Sequence, residues 1–167
     1  NLVHKKEEKL QALPAIQPVS NNDLKRMASG YGWRIDPVYG VSKFHAGMDF
    51  TAPKGTEIYA TGKGIAIKVN YSTGGYGKRI IIDHGYGYKT LYAHLSGFAV
   101  KQGEKVQRGQ VIGYVGNTGK SVGPHLHYEV HKNGQKVNPV YFYYQDLDDD
   151  SFEEMIRLSE NTGSSLD

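Results

Sequence analysis

Short runs of apolar residues, each bounded by glycine, asparagine or proline, follow one another along the middle of the chain. Each run is rich in Ile, Val or Tyr, which favours strands over helices. The turns between the runs recur about every ten residues, a spacing typical of antiparallel sheets. The pattern therefore predicts an all-β core of antiparallel sheets. Strands are predicted at residues 57–60, 64–70, 79–84, 88–94, 111–115 and 125–131.

The two ends of the chain have a different pattern, which predicts short peripheral helices. Residues 1–20 begin with a charged stretch, which could be the end of a longer helix, and pass into a proline-bearing linker. A second short helix is predicted over 23–28. Apolar positions on one helical face predict an amphipathic helix over 151–158, with Ser151 and Glu154 as a capping box. The predicted division is an N-terminal tail and linker, one domain, and a C-terminal helix and tail, at 1–22, 23–145 and 146–167.

A weak internal repeat relates residues 53–58 to residues 101–106, and a further apolar strand flanked by glycine follows each copy. The repeat resembles the half-barrel of biotinyl and lipoyl domains. No Lys stands in the tight apolar hairpin that those carriers modify. We therefore interpret the repeat as shared sheet geometry, and a carrier-type binding module as an alternative that the sequence disfavours.

Composition limits the chemistry that the chain can perform. The 167 residues carry a net charge of +3, which is too mild to predict nucleic-acid binding but would not repel an anionic polymer such as cell-wall material. Cysteine is absent, so any metal must bind to His, Asp or Glu. No apolar run approaches the roughly 20 residues of a membrane span. The chain starts at Asn1 without Met and looks like a fragment or mature form, so a membrane anchor or coiled coil could lie upstream.

Two histidine motifs carry the candidate chemistry. His45 and Asp49 are four residues apart, in a glycine-containing segment that favours a loop or short strand over a helix. His125 and His127 alternate on a predicted strand, so their side chains should project from the same face. One imidazole of that pair can bind a metal while the other does acid–base work. The alternative is a pair of solvent-facing histidines with no ligand.

Three further histidines lie on predicted strands. His94 ends the central strand, where it is either a partly buried strand-end residue or another imidazole of the same site. His84 is interpreted as a turn residue, because Gly85 follows it. His131 lies four residues beyond His127 on the same face of an ideal strand, and we interpret it as structural.

Taken together, the histidine motifs resemble those of a known family. The combination of His45-x-x-x-Asp49, Tyr92-Ala93-His94-Leu95 and Gly123-Pro124-His125-Leu126-His127 is similar to the lysostaphin/LytM-type zinc endopeptidases of bacterial cell walls. The resemblance covers roughly residues 30–145 and implies a lysostaphin-type fold, in which the antiparallel sheets form a groove. It also implies that His45, Asp49 and His127 bind Zn²⁺, and that His94 and His125 are the catalytic histidines that do not bind the metal.

The ligand set agrees with the chemistry of a hydrolytic zinc site, because three protein ligands leave a fourth position for water. All five positions are occupied, which predicts an active enzyme. The resemblance implies hydrolysis of an amide in the peptide part of peptidoglycan, in the periplasm or outside the cell. The D-Ala to diaminopimelate bond is favoured over the glycyl-glycine bond. Tyr39 and Tyr76 fall in predicted loops that could form walls of the groove and contact substrate.

Several alternatives stay open at this stage. The chain could be a noncatalytic regulator that binds wall peptide or an amidase partner. A D-Ala-D-Ala peptidase of the related zinc class would need wider spacing in the first motif and a Glu before the last His, and this chain has neither. Self-inhibition is a further possibility, with Asn21 or Asn22 reaching the metal. Arg34 is expected to pair locally with Asp36 rather than to contact an anionic substrate group.

Overall fold

The structure is a computed structural model that describes residues 1–21, 25–35, 39–145 and 147–160. Within these ranges the chain forms two α-helices, one 3₁₀ helix and twelve strands. The helices are α1 (Leu2–Ala12), the 3₁₀ helix (Pro139–Gln145) and α2 (Asp149–Glu160). The strands are β1 (Met27–Ser29), β2 (Gly32–Ile35), β3 (Ser42–His45), β4 (Met48–Thr51), β5 (Glu57–Tyr59), β6 (Gly64–Ser72), β7 (Gly77–Gly85), β8 (Tyr88–Phe98), β9 (Lys105–Val106), β10 (Val111–Val115), β11 (His125–Lys132) and β12 (Gln135–Val137).

Ten strands form one open sheet, in which neighbours run in the order β1-β4-β11-β8-β7-β6-β9. Strand β10 pairs with β5 and β8, and β12 pairs with β11. Strands β2 and β3 form a separate two-stranded ribbon, and every pairing is antiparallel. The predicted all-β class is confirmed, and all six predicted strands are present. The ends of the sheet do not pair with each other, so the sheet does not close into a barrel.

The hydrophobic core follows the alternation of the long strands. Ile80 and Ile82 of β7 are fully buried, and Leu126 and Tyr128 of β11 are buried on the core side of the same sheet. Met155 of α2 joins this core, so α2 covers part of the sheet with its apolar face. The predicted division of the chain into tail, domain and C-terminal helix stays a prediction.

Buried hydroxyl groups in the core hydrogen-bond to one another. The Thr61 hydroxyl lies 2.8 Å from the Tyr128 hydroxyl and 3.1 Å from the Tyr92 hydroxyl. The Thr90 hydroxyl lies 2.8 Å from the Tyr92 hydroxyl and 2.7 Å from Nε2 of His84. These contacts satisfy the polar ends of two large aromatic side chains that would otherwise be costly to bury.

Three local predictions are wrong. The helix predicted over 23–28 is contradicted at its C-terminal end, where strand β1 begins at Met27. Residues 23 and 24 lie outside the described residues. His84 is not a turn residue: it is 5% exposed near the end of β7 and bonds to Lys63. The cap of α2 is Asp148 rather than Ser151, because the Ser151 amide donates to the Asp148 carboxylate over 2.7 Å.

The amphipathic C-terminal helix itself is present, and the charged N-terminal stretch forms α1. The proline-bearing linker after α1 packs against the domain, since Ala15 and Val19 are each 2% exposed. The Tyr59 amide donates to the Pro18 carbonyl over 2.8 Å. Among the described residues, no helix is long and apolar enough to cross a membrane.

Candidate functional site

Strand β11 lies between β4 and β8, and this register brings the sequence motifs together. His127 is directly opposite Asp49 of β4 on one side and Ala93 of β8 on the other. His45 is the last residue of β3, and only two residues separate it from β4. The segment is therefore a turn between short strands, as predicted, and the turn places both ends of the first motif beside the second.

The side chains of His45, Asp49 and His127 form a buried cluster of three ligand atoms. Asp49 Oδ1 lies 3.3 Å from His45 Nε2 and 3.0 Å from His127 Nδ1. The two ring nitrogens are 3.3 Å apart. Exposure of the three residues is 6% or less.

This spacing suits a tetrahedral metal ion. Zinc bonds of about 2.0 to 2.2 Å separate the corners of a tetrahedron by roughly 3.3 to 3.6 Å. The three observed separations are close to that value, and two imidazole nitrogens with one carboxylate oxygen form a common zinc donor set. The residues that are present therefore fit the ion that the sequence motifs predict.

Three histidine rings in the site are each oriented by a different backbone carbonyl. His45 Nδ1 lies 2.9 Å from the Gly30 carbonyl, and His125 Nδ1 lies 2.8 Å from the Gly123 carbonyl. His94 Nδ1 lies 2.8 Å from the Thr118 carbonyl. A carbonyl oxygen only accepts hydrogen bonds, so Nδ1 carries the proton in each ring and Nε2 carries the lone pair.

His94 reaches the site through a distortion of β8. Alternation along a regular strand would place His94 on the core face with Tyr92. Strand β8 instead contains an irregularity, since Lys78 pairs with Leu95 while Ile80 pairs with Tyr92. His94 has φ of 64°, a left-handed conformation that is strained for a residue with a side chain. A bulge of this kind turns a side chain toward the other face of the sheet. The centroid of the His94 ring consequently lies 4.7 Å from that of the His125 ring.

His125 and His127 project from one face of β11, as the alternation predicts. His125 Nε2 lies 3.8 Å from Asp49 Oδ1, beyond direct hydrogen-bond distance. The structure thus places His94 and His125 next to each other at the edge of the three-ligand cluster. Both are buried, with exposures of 2% and 0%.

Glu129 was not predicted as a site residue, and it lies two residues after His127 on the same face of β11. Its Oε2 lies 2.7 Å from His127 Nε2, and its Oε1 lies 2.7 Å from His131 Nε2. Burial opposes ionisation of Glu129, but the hydrogen bonds from His127 and His131 and the charge of Lys136 hold the pKa of its carboxyl below the usual range. The period of two along a strand was the signal that could have identified it.

Gly47 was also missed as a site residue. A Cβ atom at this position would lie 2.5 Å from the Tyr128 carbonyl oxygen, 2.8 Å from Cε1 of His127 and 3.0 Å from Cγ of Glu129. A side chain there would have to displace both the backbone of β11 and the His127 ring. The glycine between the two ligands of the first motif is therefore a packing requirement of the site.

The two tyrosines predicted to contact substrate differ in their surroundings. Tyr39 is 79% exposed in the connection between β2 and β3. Tyr76 is half-buried and stacks on the His127 ring at a centroid distance of 5.9 Å. Its hydroxyl donates to Glu129 Oε2 over 2.8 Å, and burial together with the Glu129 charge raises the pKa of that hydroxyl. Their role in substrate binding stays a prediction.

Asn21 and Arg34, two other residues for which the sequence suggested a role, bond to groups outside the three-ligand cluster. The Asn21 side chain bonds to Gln17 and to the Arg26 amide, each over 2.9 Å, and is not part of the three-ligand cluster. Arg34 donates to the Ser159 carbonyl over 2.6 Å. The alternative ligand Asn22 and the expected Arg34 partner Asp36 lie outside the described residues.

Comparison with known proteins agrees with this geometry. The sequence model of the protein family described as Peptidase family M23 matches residues 43–139, which is more than half of the chain. DD-carboxypeptidase/endopeptidase Mpg of Neisseria meningitidis serogroup B is 49% identical over 115 residues, which cover 69% of this chain and 26% of that protein. Peptidoglycan DD-endopeptidase ShyA of Vibrio cholerae is 45% identical over 108 residues, covering 64% of this chain and 25% of that protein. The chain thus spans about a quarter of the length of these relatives.

Solved structures show the same fold. A zinc containing peptidase from Vibrio cholerae has a TM-score of 0.69 and 38% sequence identity, over 78% of this chain and 40% of that chain. The catalytic domain of lysostaphin from Staphylococcus simulans has a TM-score of 0.65 and 31% identity, over 74% of this chain and 97% of that chain.

Proposed function

Because the chain belongs to peptidase family M23, we propose that it is a zinc-dependent endopeptidase that hydrolyses amide bonds in the stem-peptide cross-links of peptidoglycan. The observation that carries the proposal is the buried cluster of His45, Asp49 and His127, with two further histidines beside it. The resemblance to lysostaphin/LytM-type peptidases and the prediction of a peptide hydrolase are confirmed by the family match.

The favoured bond is the one from D-Ala to diaminopimelate. This choice is supported by the similarity to peptidoglycan DD-endopeptidase ShyA of Vibrio cholerae and to DD-carboxypeptidase/endopeptidase Mpg of Neisseria meningitidis. Such a substrate is part of the cell envelope, so we place the activity in the periplasm or outside the cell. The mild positive charge of the chain is compatible with an anionic wall polymer.

The mechanism follows from how the chain holds its five site residues. His45, Asp49 and His127 would hold Zn²⁺, which when bound polarises a carbonyl group and acidifies a coordinated water. His94 and His125 present Nε2 as a proton acceptor, because Nδ1 of each donates to a carbonyl. One of these rings takes the proton of the attacking water, and the leaving amine is protonated as the amide bond breaks.

Orientation of these rings is fixed before substrate arrives. Backbone carbonyls hold His94 and His125, and the strands that carry them belong to one sheet. Little rearrangement is then needed at the moment of reaction, which lowers the free-energy barrier relative to a mobile base.

The test is digestion of purified peptidoglycan by the zinc-loaded protein, followed by mass spectrometry of the released fragments. One substrate carries D-Ala to diaminopimelate cross-links and the other carries pentaglycine bridges. We expect loss of cross-linked dimers and new free ends in the first substrate only. The control is His94→Ala, which removes a catalytic ring and leaves the three ligands in place.

Cleavage of the pentaglycine substrate alone would overturn the choice of bond while leaving the peptidase. No cleavage of either substrate by protein with zinc confirmed bound would contradict the proposed activity. That result, together with binding of the protein to intact wall material, would identify the noncatalytic regulator.

A further inference from the structure

The Glu129 carboxylate is buried beneath the metal-binding cluster, and four donors surround it. Glu129 is 2% exposed. Its two oxygens accept hydrogen bonds from His127 Nε2 and His131 Nε2, each over 2.7 Å, and from the Tyr76 hydroxyl over 2.8 Å. The Lys136 ammonium lies 3.4 Å from Oε1. An ionised carboxylate in such a place needs these donors, because an unpaired buried charge is strongly destabilising.

Among the four histidines of the site, His127 is held differently from the other three. His45, His94 and His125 each donate Nδ1–H to a backbone carbonyl. His127 instead directs Nδ1 at Asp49 and His45, the other two ligands, and Nε2 at Glu129. If Nδ1 binds a metal, the proton of this ring must therefore lie on Nε2, where the Glu129 carboxylate can accept its hydrogen bond.

We propose that Glu129 is a positioning residue of the metal site, whose carboxylate accepts a hydrogen bond from Nε2–H of His127 and so leaves the Nδ1 lone pair for the metal. The proposal rests on the assignment of His127 as a ligand in the proposed function. A carboxylate behind a metal-binding imidazole fixes the ring orientation and increases its basicity. Tyr76 and His131 keep the carboxylate in place by occupying its remaining acceptor positions.

Close packing supports this role independently of the hydrogen bonds. A Cβ atom at Gly47 would lie 2.8 Å from the His127 ring and 3.0 Å from Glu129 Cγ, so the turn between His45 and Asp49 packs directly against both groups. The absence of a side chain at this position lets the ring and the carboxylate lie together beneath the turn. Tyr76 adds a second connection, since its carbonyl accepts the His94 amide over 2.8 Å while its hydroxyl binds Glu129.

The experiment compares two variants of Glu129 in the full chain. Glu129→Met has a similar volume but no acceptor, whereas Glu129→Gln keeps an acceptor oxygen without the charge. Zinc affinity is measured by competition with a chelator, and the His127 nitrogen that binds the metal is read from the ring ¹⁵N chemical shifts of the zinc-loaded protein. Neither measurement involves peptidoglycan, so the result does not depend on hydrolysis.

We expect the His127 ring of zinc-loaded wild type to bind the metal through Nδ1 and to carry its proton on Nε2. Glu129→Met should weaken zinc binding on the order of 10- to 100-fold. Glu129→Gln should keep the Nε2–H tautomer and lose less affinity. Lys136→Met is the matched control, because it removes a charge near Oε1 but leaves the bond from Oε2 to His127.

Two results would overturn the proposal. One is a zinc-loaded wild-type protein in which His127 binds the metal through Nε2. The other is a folded Glu129→Met protein that binds zinc as tightly as wild type, which would contradict the role of Glu129 alone. Failure of wild type to bind zinc at all would instead contradict the proposed function, and the proposal for Glu129 with it.

Discussion

Protonation of His84 should make the fold less stable in mild acid. His84 bonds through Nδ1 to the Lys63 carbonyl and through Nε2 to the Thr90 hydroxyl, which is linked in turn to Tyr92. Burial lowers the pKa of His84 from 6.5 to about 4, outweighing the opposite effects of Lys63 and Asp83. The ring is therefore neutral in the folded protein across a range where the unfolded chain takes up a proton.

The size of the effect follows from the shift in the pKa. Each pKa unit corresponds to about 1.4 kcal/mol, so a shift to about 4 amounts to roughly 3 kcal/mol in full. Because the folded pKa is lowered, this stability is present above pH 6.5 and is lost as the pH falls from 6.5 toward 4. Between pH 7.5 and pH 4.5 we expect a loss of about 2.5 kcal/mol from this residue.

Urea unfolding of the chelator-treated protein at a series of pH values measures the loss. The comparison is with His84→Gln, which cannot titrate and offers an amide to the same partners. The variant should be less stable than wild type at pH 7.5, and the difference should shrink as the pH falls, because only wild type loses the His84 contribution. A difference in the free energy of unfolding that stays constant over this range would refute the reasoning.

Three further predictions concern the site. Alanine at His45, Asp49 or His127 should abolish zinc binding together with hydrolysis, as measured by metal analysis and by release of peptidoglycan fragments. If one of these variants still bound stoichiometric zinc, the substituted residue would not be a ligand. Alanine at His94 or His125 should retain zinc but reduce turnover by about 10²- to 10⁴-fold, and full activity in either variant would contradict its assigned role. Gly47→Ala should weaken zinc binding, since the new Cβ would lie 2.8 Å from the His127 ring. Gly97→Ala in β8 is the control, because its added Cβ would make an ordinary contact of 3.8 Å with Tyr114; equal zinc affinities of the two variants would show that the turn at Gly47 adapts.

The sequence predicted the long strands better than the short ones, for a physical reason. Strands β6, β7 and β8 have nine or more residues each, which is enough for a regular pattern to be recognised. Strand β4 has four residues, and Met48, Asp49 and Phe50 are all buried. A strand covered on both faces shows no alternation, so periodicity could not identify it.

The residue types of the site were predictable, but the geometry that makes them work was only partly so. His125 and His127 share a face because alternation is a local property of the strand. His94 joins them only because β8 carries an irregularity whose position depends on its pairing with β7 and β10. Such a bulge is fixed by partner strands that are distant in sequence, and alternation alone would have directed His94 into the core.

The tautomers of the four histidines show the same division between local and distant causes. For His125 the acceptor is Gly123, two residues away on the same loop, so the sequence could have suggested it. For His94 and His45 the acceptors are 24 and 15 residues away. A metal ligand and a proton acceptor both need a lone pair on the correct nitrogen, and a wrong tautomer removes that lone pair as effectively as a mutation. The chemistry of this site therefore depends on the acceptors behind the rings as much as on the histidines themselves, and behind His127 that acceptor is the Glu129 carboxylate.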